Sequence, residues 1–295
     1  MTSSSIEQQI RGRLWRTRFI QAYLPLPIAQ WLIQQILPRV RLEADVRRET
    51  ILADGVPCEW IIPRGSPEAK VLIYLHGGGF VYGLSPPHLE MVAYLTQKMG
   101  IRALMVDYRL APDYPFPAAL DDCLTAYRWL VKEGVSAQNI VVGGDSAGGN
   151  LVITMMMKLR DGGDELPAAA ACLSPVGILT DRSNSYEEID DPLLHPKAVR
   201  MYNRSYVAGH DPQNPYISPV FGDFDGLPPL LVFAGEDEIL RDDAVRIEAL
   251  AMAAGVDVRL EIYPRMWHVW QLYLSLPQAV QSLEDTSQFF KTHLG

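Results

Sequence analysis

Cysteine is scarce in this chain. Cys58, Cys123 and Cys172 are odd in number and far apart in 295 residues. They build neither a disulfide framework nor a metal-ligand spacing, so reduced core thiols are expected, as suits a reducing compartment. Basic residues are in deficit too. With 26 Lys and Arg against 35 Asp and Glu, the net charge is −9. That argues against nucleic acid as the main partner, because binding phosphates needs a basic face. No apolar run reaches the roughly 18 to 20 residues of a membrane span. The first residues also lack a signal-peptide pattern. Arg11, Arg13, Arg16 and Arg18 break their apolar positions, and no small-residue cleavage site follows. The expectation is a cytoplasmic protein without stable membrane insertion. Repeats, low-complexity tracts and linkers are missing as well, which favours one domain with accessory segments.

What the chain has is a 48% hydrophobic composition, enough for a sizeable core, and an alternation of strand and helix patterns. Apolar residues at helical spacing fill Ile6 to Val40: Ile10, Leu14, Phe19, Ile20, Tyr23 and Leu24, then Ile28, Trp31, Leu32 and Ile36 after Pro25 and Pro27. These helices either pack on their own domain or present arginines to a membrane surface or an apolar substrate. Two short strands flank Asp54-Gly55, a hairpin signal. Val71 to Leu75, Ile101 to Val106, Ile140 to Gly143, Leu166 to Leu173, Leu230 to Ala234 and Val258 to Tyr263 read as further strands. Helices are expected over Pro86–Met99, Ala118–Lys132, Leu151–Leu159, Ala244–Ala254 and Pro277–Phe290. Such alternation implies an α/β fold: a mainly parallel sheet with helices on both faces. Between Ser174 and Pro219 the composition turns to Ser, Asn, Asp, Tyr and Pro, with a helix near Pro196 to Val207. An insertion this long is often a lid or substrate wall. Tyr186, Leu193, Leu194, Met201, Tyr202 and Tyr206 are its candidates for lining a pocket.

The chemistry sits at strand ends. Gly144-Asp145-Ser146-Ala147-Gly148 lies between a strand and a helix. A Gly-x-Ser-x-Gly turn there holds the serine in a strained geometry with its hydroxyl exposed, and the glycines avoid collisions between strand and helix. A serine hydroxyl needs a base, an acid behind the base and an oxyanion site. His268 follows the last strand, and Asp237 and Glu238 follow the strand before it. The order serine, acid, histidine is that of an α/β-hydrolase sheet. His76-Gly77-Gly78-Gly79-Phe80 continues a buried strand, and its glycines allow several N–H groups to converge on an oxyanion. A flexible turn or a phosphate cradle is the competing reading, but no Gly-x-Gly-x-x-Gly helix start or P-loop lysine follows, which weakens the phosphate version. His76 is expected to orient this loop, and Asp107, Arg109 and Asp122 to tie loops together beneath the site.

Together, His76-Gly77-Gly78-Gly79-Phe80, Asp107-Tyr108-Arg109-Leu110-Ala111-Pro112 and Gly144-Asp145-Ser146-Ala147-Gly148-Gly149-Asn150 resemble the bacterial hormone-sensitive-lipase-like carboxylesterases, lipolytic family IV. The resemblance runs from about residue 45 to the end. It implies the α/β-hydrolase fold with a helical cap: residues 1–45 as an N-terminal cap segment, 46–295 as the catalytic domain, with 174–219 contributing to the cap. It implies Ser146 as nucleophile, His268 as base, and the Gly78, Gly79 and Ala147 N–H groups as the oxyanion hole. The family commonly shows Asp-Pro-Leu-x-Asp-Glu around its acid. Aligning on Leu240-Arg241-Asp242 puts Glu238 at the acid position, with Asp237 as the alternative. Val269-Trp270 replaces the family's usual Gly-Phe after the histidine, which bears on pocket shape. The implied activity is hydrolysis of short- to medium-chain acyl esters, with a small-molecule ester as partner and neither metal nor cofactor. Many members pair through the last strand and its neighbouring helix, so a homodimer is allowed. The competing functions are amide or N-acetyl hydrolysis on the same triad, as in related deacetylases, and a non-catalytic ligand receptor, as in the related gibberellin receptors.

Overall fold

In the computed structural model, residues 3–38, 40, 42–180 and 185–295 are described. Parts of the expected cap segments, residues 1–2, 39, 41 and 181–184, lie outside them. Among the described residues, eight strands form one sheet: β1 (Val46–Ala53), β2 (Val56–Pro63), β3 (Val71–Leu75), β4 (Arg102–Val106), β5 (Ile140–Asp145), β6 (Ala169–Leu173), β7 (Leu230–Gly235) and β8 (Val258–Tyr263). Their spatial order is β1-β2-β4-β3-β5-β6-β7-β8. β2 is antiparallel to both β1 and β4, and every other neighbouring pair is parallel. The α/β expectation therefore holds. Asp54 and Gly55 both adopt positive φ, 46° and 94°, the geometry of a tight hairpin turn whose twist matches the strands.

Strands β3, β5, β6 and β7 are buried along their whole length, which explains their unbroken apolar sequences. The pleat sends alternate side chains to opposite faces. Ile73 and Leu75 join the core under α4 (Ala118–Lys132), α5 (Ala147–Gly162) and α8 (Arg241–Ala253). Leu72 and Tyr74 join the other core, under α3 (Pro86–Met99) and α9 (Pro277–His293). Strand β6 begins at Ala169, later than the sequence suggested, because Pro167 has no N–H to give a ladder. Helix α8 begins earlier, at Arg241; Asp242 and Asp243 fall in its first turn, where the helix dipole favours acids.

Outside the sheet lie α1 (Ser3–Tyr23), α2 (Leu26–Ile36) and, from the 174–219 insertion, α6 (Ser185–Glu188) and α7 (Pro196–Val207). Polar contacts join α1 to the insertion and α2 to the glycine loop after β3. Arg18 Nε donates to Leu194 O at 3.1 Å and its guanidinium meets Asp190 at 2.8 Å. Tyr202 Oη donates to Gln21 Oε1 at 3.3 Å, and Gln30 Nε2 to Val81 O at 2.7 Å. The expected apolar face of α1 is only half right. Ile10, Leu14 and Ala22 are buried, but Phe19 and Tyr23 are 65% and 55% exposed. Ile28, Trp31 and Ile36 of α2 are outward too. Periodicity reports a helix; which of its faces meets a partner depends on tertiary packing.

Candidate active site

Strand β5 ends at Asp145 and α5 begins at Ala147, so the whole reversal falls on Ser146. Its φ of 53° and ψ of −118° are a conformation that L side chains rarely adopt. Only glycine fits around it. A Cβ on Gly148 would lie 1.9 Å from Leu75 O, and one on Gly144 would lie 2.6 Å from Gly148 O. Neighbouring segments hold the strained turn in place. Ser146 N–H donates to Leu173 O at 2.8 Å and Val176 N–H donates to Ser146 O at 3.2 Å. Asn150 Nδ2 then fixes this support by donating to Val176 O and Ile217 O, each at 2.9 Å.

His268 lies in the loop after β8, with Nε2 2.8 Å from Ser146 Oγ. On its far side Nδ1 is 3.2 Å from Glu238 Oε2. If Nδ1–H donates to the carboxylate, Nε2 is free to accept the serine proton. All three groups are buried: Ser146 is 8% exposed, His268 3% and Glu238 0%. Asp237 faces the other way. Its side chain is 37% exposed and pairs with Arg11 at 2.7 Å. Burial alone would depress the His268 imidazolium. The Glu238 hydrogen bond and charge, with the charges of Asp191 and Asp145, outweigh this and raise its pKa. The acid and histidine loops touch through backbone: Asp237 N–H donates to Met266 O at 2.9 Å. A Cβ on Gly235 would lie 2.3 Å from that same oxygen, so glycine is required for the approach.

The glycine loop follows β3. Gly78 and Gly79 have φ of 123° and 60°, and the loop closes on itself as Val81 and Tyr82 N–H donate to Gly78 O. Among the described residues, the N–H groups of Gly78, Gly79 and Ala147 donate no hydrogen bond. Ala147 is the first residue of α5, whose positive dipole end favours negative charge there. Asp145 secures the loop from beneath, accepting from Tyr74 Oη at 2.8 Å and Gly77 N–H at 3.0 Å, with His88 Nε2 at 3.3 Å. Burial would raise its pKa, but His88, Tyr74 and Gly77 together hold it below the usual value. His76 stacks on Tyr108 with centroids 4.2 Å apart, and its Nδ1 lies 2.8 Å from Gly77 O. Burial pushes its pKa down to about 4, so it is neutral and serves the loop as a structural group.

Arg109 grips Asp122 with both guanidinium and backbone N–H groups. Asp107 is exposed and stays outside that pair, contrary to expectation. Of the insertion's candidate pocket residues, Tyr206 is fully buried and stacks on Phe80 with centroids 3.7 Å apart. Tyr202 packs against the glycine loop, where a Cβ on Gly79 would come within 2.7 Å of its ring. Tyr186 is buried, whereas Leu193, Leu194 and Met201 are partly exposed. The three cysteines are buried and free. Among the described residues no cluster of His, Cys, Asp or Glu could hold a metal ion. Sequence reasoning missed Ser174, whose Oγ accepts Val269 N–H at 3.1 Å and so supports the residue after the histidine. It also missed Asp191 and Asp243, two fully buried carboxylates. Asp191 meets Ile239 N–H and Asp243 meets Gly177 and Ile178 N–H, backbone groups distant in sequence that no local pattern reveals.

A serine at a strand-to-helix elbow, with acid and histidine after the two last strands, is the arrangement of an α/β hydrolase. A family model described as the alpha/beta hydrolase fold matches residues 72–272, and the chain belongs to that family. An acetyl-hydrolase of Streptomyces hygroscopicus is 38% identical over 240 residues, covering 80% of this chain and 80% of that protein. An esterase of Acinetobacter venetianus is 33% identical over 224 residues, 75% of this chain and 74% of that one. A solved esterase of the bacterial hormone-sensitive lipase family superposes with a TM-score of 0.91 at 37% identity, covering 97% of this chain and 98% of that chain.

Proposed function

We propose that this protein is a carboxylesterase that cleaves short- to medium-chain acyl esters through an acyl-enzyme on Ser146. The observation that carries this reading is the 2.8 Å approach of His268 Nε2 to Ser146 Oγ within the strained elbow. His268 takes the serine proton as Oγ attacks the ester carbonyl, and Glu238 stabilises the resulting imidazolium. The oxyanion rests on the Gly78, Gly79 and Ala147 N–H groups, which are not spent elsewhere among the described residues. His268 then gives its proton to the departing alcohol. Water, activated by the same histidine, releases the acid and restores the serine. Residues 1–45 and 174–219 form a cap beside the acyl site, a reading supported by the Arg18–Leu194 and Tyr202–Gln21 contacts. The free edge of β8 at the end of the sheet suits a homodimer, and the reduced, buried cysteines suit the cytoplasm.

The test is turnover of p-nitrophenyl esters of increasing chain length, with covalent labelling by a fluorophosphonate. Hydrolysis that peaks at short or medium chains, with the label on Ser146, is expected. Absence of both turnover and adduct overturns the reading and favours a receptor. A second reading is amide or N-acetyl cleavage on the same triad, supported by an acetyl-hydrolase relative only as far as removal of an acetyl group; a matched ester and anilide pair separates the two.

A further inference from the structure

Glu238 aims at His268 with little help from its own side chain. Only Oε2 reaches the imidazole, at 3.2 Å. Oε1 is buried and has no hydrogen-bond partner among the described residues. The aim of the carboxylate therefore depends on the backbone that carries it. That backbone is clamped at Ile239, from a distant segment. Asp191 Oδ2 accepts Ile239 N–H at 3.2 Å, across 48 residues of chain. Ser185 Oγ donates to Ile239 O at 2.6 Å. Both clamping residues belong to the 174–219 insertion. The other oxygen of Asp191, Oδ1, accepts Leu193 N–H at 2.8 Å and Leu194 N–H at 3.0 Å. Leu194 O in turn takes the Arg18 bond from α1. One fully buried carboxylate thus joins the acid loop to the insertion and, one bond further, to the N-terminal helices.

We infer that Asp191 is a positioning residue for the triad: it fixes the backbone that aims Glu238 and adds a second negative charge behind His268. This rests on the proposed esterase reading. Three N–H donors and full burial identify a carboxylate placed for a purpose, since an acid in the interior is costly unless its oxygens are bonded. Its charge acts on His268 in the same direction as that of Glu238. Burial pushes the Asp191 pKa up to about 6, while His268 and the Leu194 and Leu193 N–H groups oppose the rise. The charged groups acting on the imidazole are Glu238 on the acid loop, Asp191 on the insertion and Asp145 at the end of β5. Asp237 turns away, paired with Arg11.

Asp191→Asn keeps the shape and removes the charge. Whichever way the amide turns, its NH₂ meets a backbone N–H, so either the Ile239 bond or the Leu193 and Leu194 bonds that hold residue 191 in place are lost. The experiment measures kcat, KM and the pH profile for p-nitrophenyl acetate in wild type, Asp191→Asn, Glu238→Gln and the double variant. In Asp191→Asn, kcat is expected to fall about 10- to 100-fold, as for a small misplacement of a catalytic group, with KM little changed. Its acid limb is expected to move to lower pH, because a negative charge behind the base is gone. In the Glu238→Gln background the same substitution should cost clearly less than it does alone, since its positioning part acts through that acid and only its charge on His268 remains to be lost. Additive losses in the cycle, or wild-type kcat and acid limb in Asp191→Asn, overturn the inference. If Asp191→Asn does not fold, Asp191→Glu keeps the charge but misplaces the oxygens. Its kcat should fall while the acid limb stays in place, and wild-type kcat there overturns the inference equally. A wild-type enzyme inert to every ester would instead refute the esterase reading.

Discussion

Replacing Glu238 by Gln separates two adjacent carboxylates that the sequence leaves in competition. Glu238 is wholly buried and meets His268 through a single oxygen. The glutamine amide has one acceptor oxygen and one donor NH₂. If the oxygen faces Nδ1, the tautomer survives but the charge that stabilises the imidazolium is gone. If the NH₂ faces Nδ1, the ring is driven to the other tautomer and Nε2 carries a proton towards Ser146, where it cannot accept one. Substituting an amide for the acid of a Ser-His-acid triad lowers kcat by up to about 10,000-fold. We expect a loss of about 100- to 10,000-fold here, or about 3 to 5.5 kcal/mol at 1.36 kcal/mol per decade. Asp237→Asn is the matched control. Its carboxylate is 37% exposed in a pair with Arg11, and such exposed pairs are worth at most about 1 kcal/mol. Its kcat should stay within about threefold of wild type, because it does not face the base. The assay is p-nitrophenyl acetate turnover normalised to fluorophosphonate-titrated sites. A larger loss in Asp237→Asn than in Glu238→Gln refutes the assignment of the acid.

Three further outcomes follow from the same geometry. Ser146→Gly should abolish turnover yet raise stability by about 1 kcal/mol in denaturant titration, because glycine adopts the φ of 53° without strain. In wild type, kcat/KM should rise with pH through an apparent pKa above 6.5, the ordinary histidine value, since the base works neutral and its folded pKa is raised. The stabilisation tied to protonated His268 has the opposite trend, being present at low pH and lost as pH rises through that pKa. Asp243 is fully buried, with Oδ2 bonded to Gly177 and Ile178 N–H and Oδ1 without a partner among the described residues. Burial pushes its pKa from 3.8 up to about 7. The native state then holds a proton that the unfolded chain has released, so this group lowers stability as pH rises from about 4 to 7. Asp243→Asn removes that dependence: its Tm relative to wild type should climb across this range and level off above it.

The strands and the elbow were legible because their requirements are local. A strand buried on both faces reads as an unbroken apolar run, as Val71 to Leu75 does. The elbow needs glycine where a Cβ would strike Leu75 O, and Gly148 is there. Glu238 followed from aligning Leu240-Arg241-Asp242 on the acid motif of the family the chain resembles, which left Asp237 as the alternative; the structure turns Glu238 to His268 and Asp237 to Arg11. What stayed illegible depends on partners distant in sequence. Nothing near Asp191 announces that its oxygen accepts the N–H of Ile239. Nor does the spacing of α1 reveal that Phe19 and Tyr23 lie outside while Ile10 and Leu14 lie inside. Asp107 sits in the same short stretch as Arg109, yet only Arg109 reaches Asp122.

The helices α1, α2 and α7 stand apart from the hydrogen-bonded ladder of the sheet, and α7 enters between β6 and β7 as an excursion. Their side chains can therefore change without disturbing the strand pairing that carries the elbow. The molecule separates an engine from what we propose is its adjustable mouth in the mechanical sense: the close-packed sheet leaves little room for variation, the outer helices much. Selection for a new ester would act first on the helices. Asp191 is the exception in this division, a strut through which a change in the mouth is felt by the engine.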